Sequence, residues 1–297
     1  MDLSVIIVSF NTKDRLQECL RSVFASQTRY RFEVFVVDNA SQDGSAEMVA
    51  RDFTTVNLIQ NKENVGYSKA NNQALQRIIP PSPHSSPARG EEVGPRYYLL
   101  LNSDVEIRAD SFDKMISFMD NDKSVGIAGP KIVKTDGSFD EAARRNFPNI
   151  KNALRYFLGL KSSYHPDLPR DQIAPVDSVM GAFLMIRSNV VEKIGLLDEA
   201  FFMYGEDLDW CLRAKAAGFR VMYAPVTTVW HHKGASSRKL PSKALYEFHR
   251  AMAIFYMKHY SAGHSMFTNS LVKLAIWIRY CLKLIQNSLR GDKYVSK

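Results

Sequence analysis

Leu3-Ser4-Val5-Ile6-Ile7-Val8-Ser9 is a short apolar run rich in β-branched residues, followed by Phe10-Asn11-Thr12 and a stretch in which Leu16, Cys19, Leu20, Val23 and Phe24 recur at helical spacing. A continuous apolar run of this length is what a strand buried on both faces of a parallel sheet requires. Asn11 or Thr12 stands where a helix cap belongs. The pattern then repeats. Phe32 to Val37 reads as a second strand ending in Asp38-Asn39-Ala40-Ser41-Gln42-Asp43-Gly44-Ser45, before a helix to about Asp52. Val56 to Ile59 reads as a third strand, Ala70 to Ile79 as a helix, and Tyr97 to Leu101 as a fourth strand that stops at Asn102-Ser103-Asp104. Four alternations of strand and helix predict an α/β fold, a mostly parallel Rossmann-like sheet flanked by helices and joined by right-handed crossovers. Such sheets bind ligands beyond the carboxyl ends of their strands, where both polar clusters fall.

The second half is less regular. Val176 to Ile186 has strand character around Gly181, Ser188 is placed to cap a short helix to Ile194, and Glu206 to Ala217 reads as a helix closed by Gly218. Arg220 to Ala224 and Thr227 to Trp230 read as two short strands. Pro80 to Pro95, with five prolines and two glycines, reads as an exposed, flexible insertion. No internal repeat is present. The expected organisation is a domain over 1–240 with a C-terminal helical extension over 241–297.

Composition narrows the function. The 297 residues are 45% hydrophobic and 24% charged, enough for a substantial core. No run of 18 apolar residues and no basic, apolar leader is evident, which argues against a spanning helix and against secretion. Cys19, Cys211 and Cys281 lie far apart with no CxxC spacing, disfavouring disulfides and zinc and fitting a reducing cytosol. Neither a P-loop nor GxGxxG occurs, leaving nucleoside triphosphatase and nicotinamide chemistry without support. From His231 onward there are twelve lysines and arginines against Glu247 and Asp292, whereas the whole chain is only +8. A near-neutral body therefore carries a cationic tail. Nucleic-acid binding is a weak reading, because the excess charge is confined to that tail and no RNA-binding motif appears.

Asp38, Asp104 and Glu206-Asp207-Leu208-Asp209 fall at strand ends or a helix start, and His231-His232 follows a strand. Carboxylates with imidazole suit Mg²⁺ or Mn²⁺ shared with substrate phosphates. An Asp after a strand is also an ordinary turn former, and an Asx turn at Asp38-Asn39 is the plain alternative.

Seven ordered segments over about residues 2–240 resemble family 2 glycosyltransferases, with a rhamnosyltransferase-like second half. They are Ser4 to Asn11, Val37 to Ser45, Asn64-Val65-Gly66-Tyr67-Ser68-Lys69-Ala70-Asn71-Asn72, Leu99 to Asp104, Gly181 to Arg187, Phe201 to Trp210 and Val229 to Ser236. The resemblance implies a GT-A fold and inverting sugar transfer from a nucleoside-diphosphate donor, dTDP-rhamnose or a UDP-hexose, to a glycan or polyprenyl-linked acceptor. It places the donor against Ser9, Asn11, Asp38, Asn39, Asn64, Gly66, Lys69, Asn102, Ser103 and Asp104. Asp38 is suited to accept the N3–H of a uracil or thymine ring. Asn39 and Asn64 would supply amide contacts, and Gly66 a close backbone approach.

Asp104 and His231 are the implied metal ligands, although Asn102 replaces the first Asp of the family's DxD. That departure keeps open the reading of an inactive nucleotide-sugar-binding relative. His231 is preferred over His232 because it matches the position at which the family places a histidine ligand, and alternation along a strand sends its neighbour to the other side. Asp207 matches the family's general base and Glu206 its acidic neighbour, which positions the acceptor or holds the turn. Asp209, about 200° further around a helix, cannot share their site and reads as a helix-turn or salt-bridge residue. Arg144, Arg145, Gly181 and Trp210 are candidates on the acceptor or phosphate side. Either arginine suits a phosphate, and a solvated charge pair is the equal alternative.

Ser242 to Tyr260 reads as an aromatic- and methionine-rich helix consistent with covering the acceptor side, with core packing the explanation for most of that stripe. From Leu271 a helical wheel sets Lys273, Arg279, Lys283, Gln286 and Arg290 against Leu271, Leu274, Trp277, Ile278, Cys281, Leu282 and Ile285. That pattern suits a helix lying in a membrane interface, with packing on protein as the alternative. The expectation is a cytoplasmic protein held peripherally on the inner face of the cytoplasmic membrane through 265–297.

Overall fold

The structure is a computed structural model and describes residues 1–79, 94–148, 164–232 and 241–289. The expected insertion at 80–95 falls almost wholly outside the described residues, as do Lys233 to Ser236 and Arg290. The N-terminal half alternates as predicted: β1 (Leu3–Ser9), α1 (Lys13–Phe24), β2 (Phe32–Asp38), α2 (Ser45–Asp52), β3 (Asn57–Gln60), α3 (Tyr67–Ile78) and β4 (Tyr97–Asn102). These strands lie in the order β3-β2-β1-β4 and all run parallel. Leu3, Val5, Ile6 and Ile7 are fully buried, the condition their unbroken apolar run implied.

A short β5 (Val105–Glu106) turns back from β4, and α4 (Ser111–Asn121) leads into β6 (Val125–Lys134). The sequence reading leaves both α4 and β6 unassigned. β6 is hard to see because Gly126, Gly129 and Pro130 interrupt its apolar pattern. Gly129 is nonetheless required there, since a Cβ would stand 2.8 Å from Val179 Cβ.

The single strand expected over 176–186 is instead two short pieces, β9 (Ser178–Val179) and β10 (Phe183–Arg187), preceded in the chain by β7 (Arg144–Arg145) and β8 (Ala174–Pro175). The break falls at a turn in which Phe183 N–H donates to Met180 O at 3.3 Å. Between β4 and β6, β10 runs antiparallel to both, so the sheet is mixed in its second half. Conversely, the two strands expected over 220–230 are one, β11 (Arg220–His231), parallel to β6. Its register shifts between Tyr223 and Thr228, opposite Gly129 to Lys131. Pro225 and Pro130 both sit in that gap and neither has an N–H to give the ladder.

Two short helices complete the body, α5 (Ser188–Ile194) and α6 (Glu206–Ala216). Ser188 is the first residue of α5, and no side chain caps it, so the predicted capping role is not taken up. Gly218 follows α6 at φ +92°, as expected of a terminator. The tail is a pair of helices, α7 (Pro241–His259) and α8 (Met266–Leu289). Ala251 and Phe255 of α7 pack with Phe201 and Leu208 beside the start of α6. Trp277 and Tyr280 of α8 pack on Tyr246 of α7, so Trp277 belongs to the inward face rather than the exposed one. Leu271, Leu274, Ile278, Leu282, Ile285 and Leu289 remain exposed. No helix of the described residues is long and apolar enough to cross a membrane.

Arg187 is the buried polar pin of the sheet. Its guanidinium donates to Val125 O at 2.7 Å, to Tyr97 Oη at 2.8 Å and to Met119 O, joining β10, β4, α4 and the start of β6. Arg187→Met strands these acceptors away from water and is expected to destabilise the fold by about 3 kcal/mol, read as a lower urea midpoint.

Candidate active site

At the carboxyl ends of β1, β2 and β4 the loops are bound to one another. Ser9 Oγ lies 3.0 Å from Thr12 Oγ1, which lies 3.0 Å from Ser103 Oγ, a buried hydroxyl chain from β1 to the end of β4. Thr12 spends its hydroxyl here rather than on a helix cap, and Asp43 instead accepts the Lys13 N–H at 2.9 Å. Asn11 N–H donates to Ser41 Oγ at 2.9 Å, and Asn11 Oδ1 accepts from Gln42 N–H at 2.7 Å. Asn11 and Ala40 hold left-handed φ of +54° and +64°, an uncommon conformation concentrated at functional loops.

Asp38 is 3% exposed. Its Oδ2 accepts from Ser41 N–H at 2.9 Å, so the Asx turn does form, yet Oδ1 is buried with no hydrogen-bond partner. A buried carboxylate oxygen without a donor is costly, and a ligand N–H is the group that would satisfy it. Three other sequence-predicted donor contacts are occupied within the protein. Asn39 gives its amide to Gly66 O at 3.2 Å and accepts from Asn61 at 2.9 Å. Asn64 Oδ1 accepts from Gly66 N–H at 3.0 Å in a turn. Gly66, at φ +91°, does permit a close approach, but by Phe202: a Cβ would meet Phe202 O at 2.7 Å. Lys69 stands exposed on α3, whose buried face is Ser68, Ala70, Asn71 and Asn72.

Beyond β4, Asp104 Oδ1 lies 3.2 Å from His231 Nε2, and both side chains are about nine-tenths buried. Asp140 Oδ2 stands 3.9 Å from the far side of the imidazole, at Nδ1. His232 turns the other way, to Glu106 Oε1 at 2.7 Å and Thr135 Oγ1 at 3.1 Å, as strand alternation requires. Among the described residues no group of three His, Cys, Asp or Glu side chains is arranged to hold a metal ion. Asp104 and His231 supply two donors facing one another. That set fits a hard cation that takes its remaining ligands from phosphate oxygens and water, and Asn102 is half-buried nearby on β4.

The first turn of α6 carries the other carboxylates. Asp207 Oδ2 accepts from Arg145 Nη2 at 2.7 Å and from Gly181 N–H at 2.8 Å, while Oδ1 accepts from Leu208 N–H at 2.8 Å. Glu206 is 7% exposed and its Oε2 has no partner. Burial, then the neighbouring Asp207 charge, push its carboxyl up to about 8. Tyr67 donates to Gly181 O at 3.2 Å, and burial above all pushes its phenol up. Gly181 N–H reaches Asp207 while Ala182 O accepts from Asn102 N–H at 3.0 Å, so residues 181 and 182 join the end of β4 to the first turn of α6. Neither Tyr67 nor Asp140 stood out as a site residue in the sequence, and Thr12 did so only as a helix cap. Tyr67 lies inside a recognised segment, and its contact with Gly181 depends on tertiary structure.

Asp209 is fully buried and bound by Arg213 at 2.8 Å, Lys258 at 2.8 Å and His259 at 2.7 Å, the salt-bridge role expected of it. Trp210 is a core residue rather than an acceptor contact: it is fully buried and its indole donates to Gly195 O at 2.9 Å. Arg144 and Arg145 are both buried, so they are not a solvated pair. Arg144 is also not a phosphate clamp, because it donates to Pro169 O and Leu168 O and lies against Phe139 and Tyr223.

A GT-A-type sheet with acidic groups at its strand ends defines a sugar-nucleotide transferase class, and comparison with known proteins agrees. The chain belongs to glycosyltransferase family 2: the profile described as "Glycosyltransferase like family 2" matches residues 2–246. It is 26% identical over 266 residues, 87% of this chain and 85% of the relative, to an N-acetylglucosaminyl-diphospho-decaprenol L-rhamnosyltransferase of Mycobacterium tuberculosis. It is 24% identical to the rhamnosyltransferase WbbL of Escherichia coli, covering 81% of this chain and 87% of WbbL. Among solved structures it resembles the mannosyltransferase PcManGT of Pyrobaculum calidifontis, in complex with GDP-Man and Mn²⁺, with a TM-score of 0.59 at 15% identity over 98% of this chain and 76% of that one.

Glu206 yields a stability test. Its folded-state affinity for the proton exceeds the ordinary carboxyl value of 4.5, so the native state keeps a proton that the unfolded state releases. Its contribution is fully present below that value and is lost as pH rises towards 8. Glu206→Gln is expected to melt above the wild type at pH 9 and close to it at pH 4.5, measured by calorimetry.

Proposed function

We propose that this glycosyltransferase moves a sugar from dTDP-rhamnose or a UDP-hexose, with inversion, to a lipid-linked or polysaccharide acceptor in cell-surface glycan synthesis. The observation that carries this reading is the junction, through residues 181 and 182, of the end of β4, where Asp104 faces His231, with the first turn of α6, where Asp207 is paired with Arg145. The rhamnosyltransferase names of the relatives favour the deoxysugar donor.

Asp38 Oδ1 receives the N3–H of the pyrimidine, filling its missing hydrogen bond. Ser9, Asn11, Ser103 and Asn102 line the path from base to diphosphate. Asp104 and His231 hold Mg²⁺ or Mn²⁺, which when bound neutralises charge on the departing nucleoside diphosphate. On the opposite side Asp207 takes the acceptor hydroxyl proton as that oxygen attacks, and Glu206 lies beside it. Gly181 holds Asp207 through its N–H, and with no Cβ keeps that approach open.

We further propose that residues 1–240 form the catalytic body and 241–297 a membrane-facing part. The exposed row from Leu271 to Leu289, flanked by Lys273, Arg279 and Lys283 and free of acidic residues within α8, suits the anionic cytoplasmic leaflet where a polyprenyl-linked acceptor is presented.

Two measurements test these proposals. In a panel of nucleotide sugars with Mn²⁺, one donor is expected to raise Tm and to be turned over, and Asp207→Asn is expected to bind that donor normally but lose about 10³-fold in transfer. A donor bound but never turned over by the wild type would favour the inactive-relative reading suggested by Asn102. Replacing Leu274, Ile278 and Leu282 by Ser is expected to abolish sedimentation with phosphatidylglycerol vesicles while leaving donor binding intact; unchanged sedimentation contradicts the membrane proposal.

A further inference from the structure

β7 brings Arg145 to the first turn of α6, where its Nη2 meets Asp207 across 62 residues of chain. The same nitrogen donates to Ser178 Oγ at 3.0 Å and to Val179 O at 2.7 Å. The guanidinium is therefore fixed by β9 independently of the carboxylate it meets. Side-chain exposures of 11% for Arg145 and 9% for Asp207 leave this ion pair little screened by water or salt. Glu206, next in the chain, has the opposite circumstances: it is equally buried, and its Oε2 has no donor. Of the two neighbouring carboxyl groups, Asp207 is the one bonded to the guanidinium.

We propose that Arg145 is a positioning residue for sugar transfer: held by Ser178 and Val179, it aims Asp207 at the acceptor oxygen and supplies the counter-charge of that buried carboxylate. The proposal rests on reading Asp207 as the base. During transfer the acceptor oxygen bonds to the anomeric carbon, and the bond from that carbon to the diphosphate oxygen breaks, its electron pair leaving with the diphosphate. The acceptor proton passes to Asp207. Release of that proton to water restores the ion pair inside the buried trio of Arg145, Asp207 and Glu206, so the guanidinium is not left an uncompensated buried cation.

The surrounding groups leave this exchange to the trio. Tyr67 from α3, Tyr164 from the segment after β7 and Cys211 from α6 are all pushed up by burial and stay uncharged through the neutral range. Asp209 is matched by Arg213, Lys258 and His259.

The test compares full-length wild type, Arg145→Lys, Arg145→Gln and Ser178→Ala in turnover of dTDP-rhamnose, or of the UDP-hexose if the donor panel selects one, from pH 5 to 9. Arg145→Lys is expected to lower kcat about tenfold, leave the donor KM within twofold, and move the acidic limb of kcat up by about one pH unit, with a larger shift in Arg145→Gln. An acidic limb that stays at its wild-type position in both variants overturns the proposal. Should the arginine variants fail to fold, Ser178→Ala decides, because it removes one anchor of the guanidinium and leaves the charge: kcat is expected to fall about threefold with the donor KM unchanged. An unchanged kcat overturns the proposal. Failure of the underlying reading looks different, since Asp207→Asn would then transfer sugar at the wild-type rate.

Discussion

A carboxylate removed from water must be compensated, and this constraint shapes the whole acidic edge of the sheet. Asp38, Asp104, Glu206 and Asp207 are each less than a tenth exposed. Asp207 is compensated by a guanidinium and two backbone N–H groups, Asp104 by an imidazole, and Asp38 by a single N–H on one oxygen only. Glu206 has least and retains its proton instead. The remaining deficit, at Asp38 Oδ1, falls where the pyrimidine is expected to lie on the proposed reading.

The elements that carry these groups were legible to different degrees. β1, β2 and β4 are buried on both faces, so their unbroken apolar runs announce them, and the polar residues ending each run mark the site. β6 was invisible because Gly129 yields its side-chain volume to Val179, a demand set by a segment 50 residues away. The family resemblance picked out Asp207 and His231, and helix and strand geometry added only that Asp209 and His232 cannot share their sites; Asp209 does point to Arg213 and α7, and His232 to Glu106.

Long-range partners were the part that local sequence could not supply. The Arg144-Arg145 pair was conspicuous, yet nothing in its neighbours tells that one guanidinium ends on backbone carbonyls and the other on Asp207. Asn39, Asn64 and Gly66 were noticed correctly as special positions, but they bind each other and Phe202, shaping the nucleotide end without offering it their side chains. The wheel of α8 showed an apolar stripe, while the inward turn of Trp277 depended on Tyr246 of α7. Periodicity tells that a face is apolar; only the partner decides which edge of it is covered.

On the proposed reading, Asp38 sets where the diphosphate and the sugar lie, so the nucleotide end of the cleft is decisive. A crystal structure of the protein with dTDP or UDP and Mn²⁺ addresses this directly. The expected result is the pyrimidine N3 within hydrogen-bonding distance of Asp38 Oδ1 and the diphosphate next to Asp104 and His231. A nucleotide bound elsewhere, with Asp38 Oδ1 still lacking a donor, would contradict it.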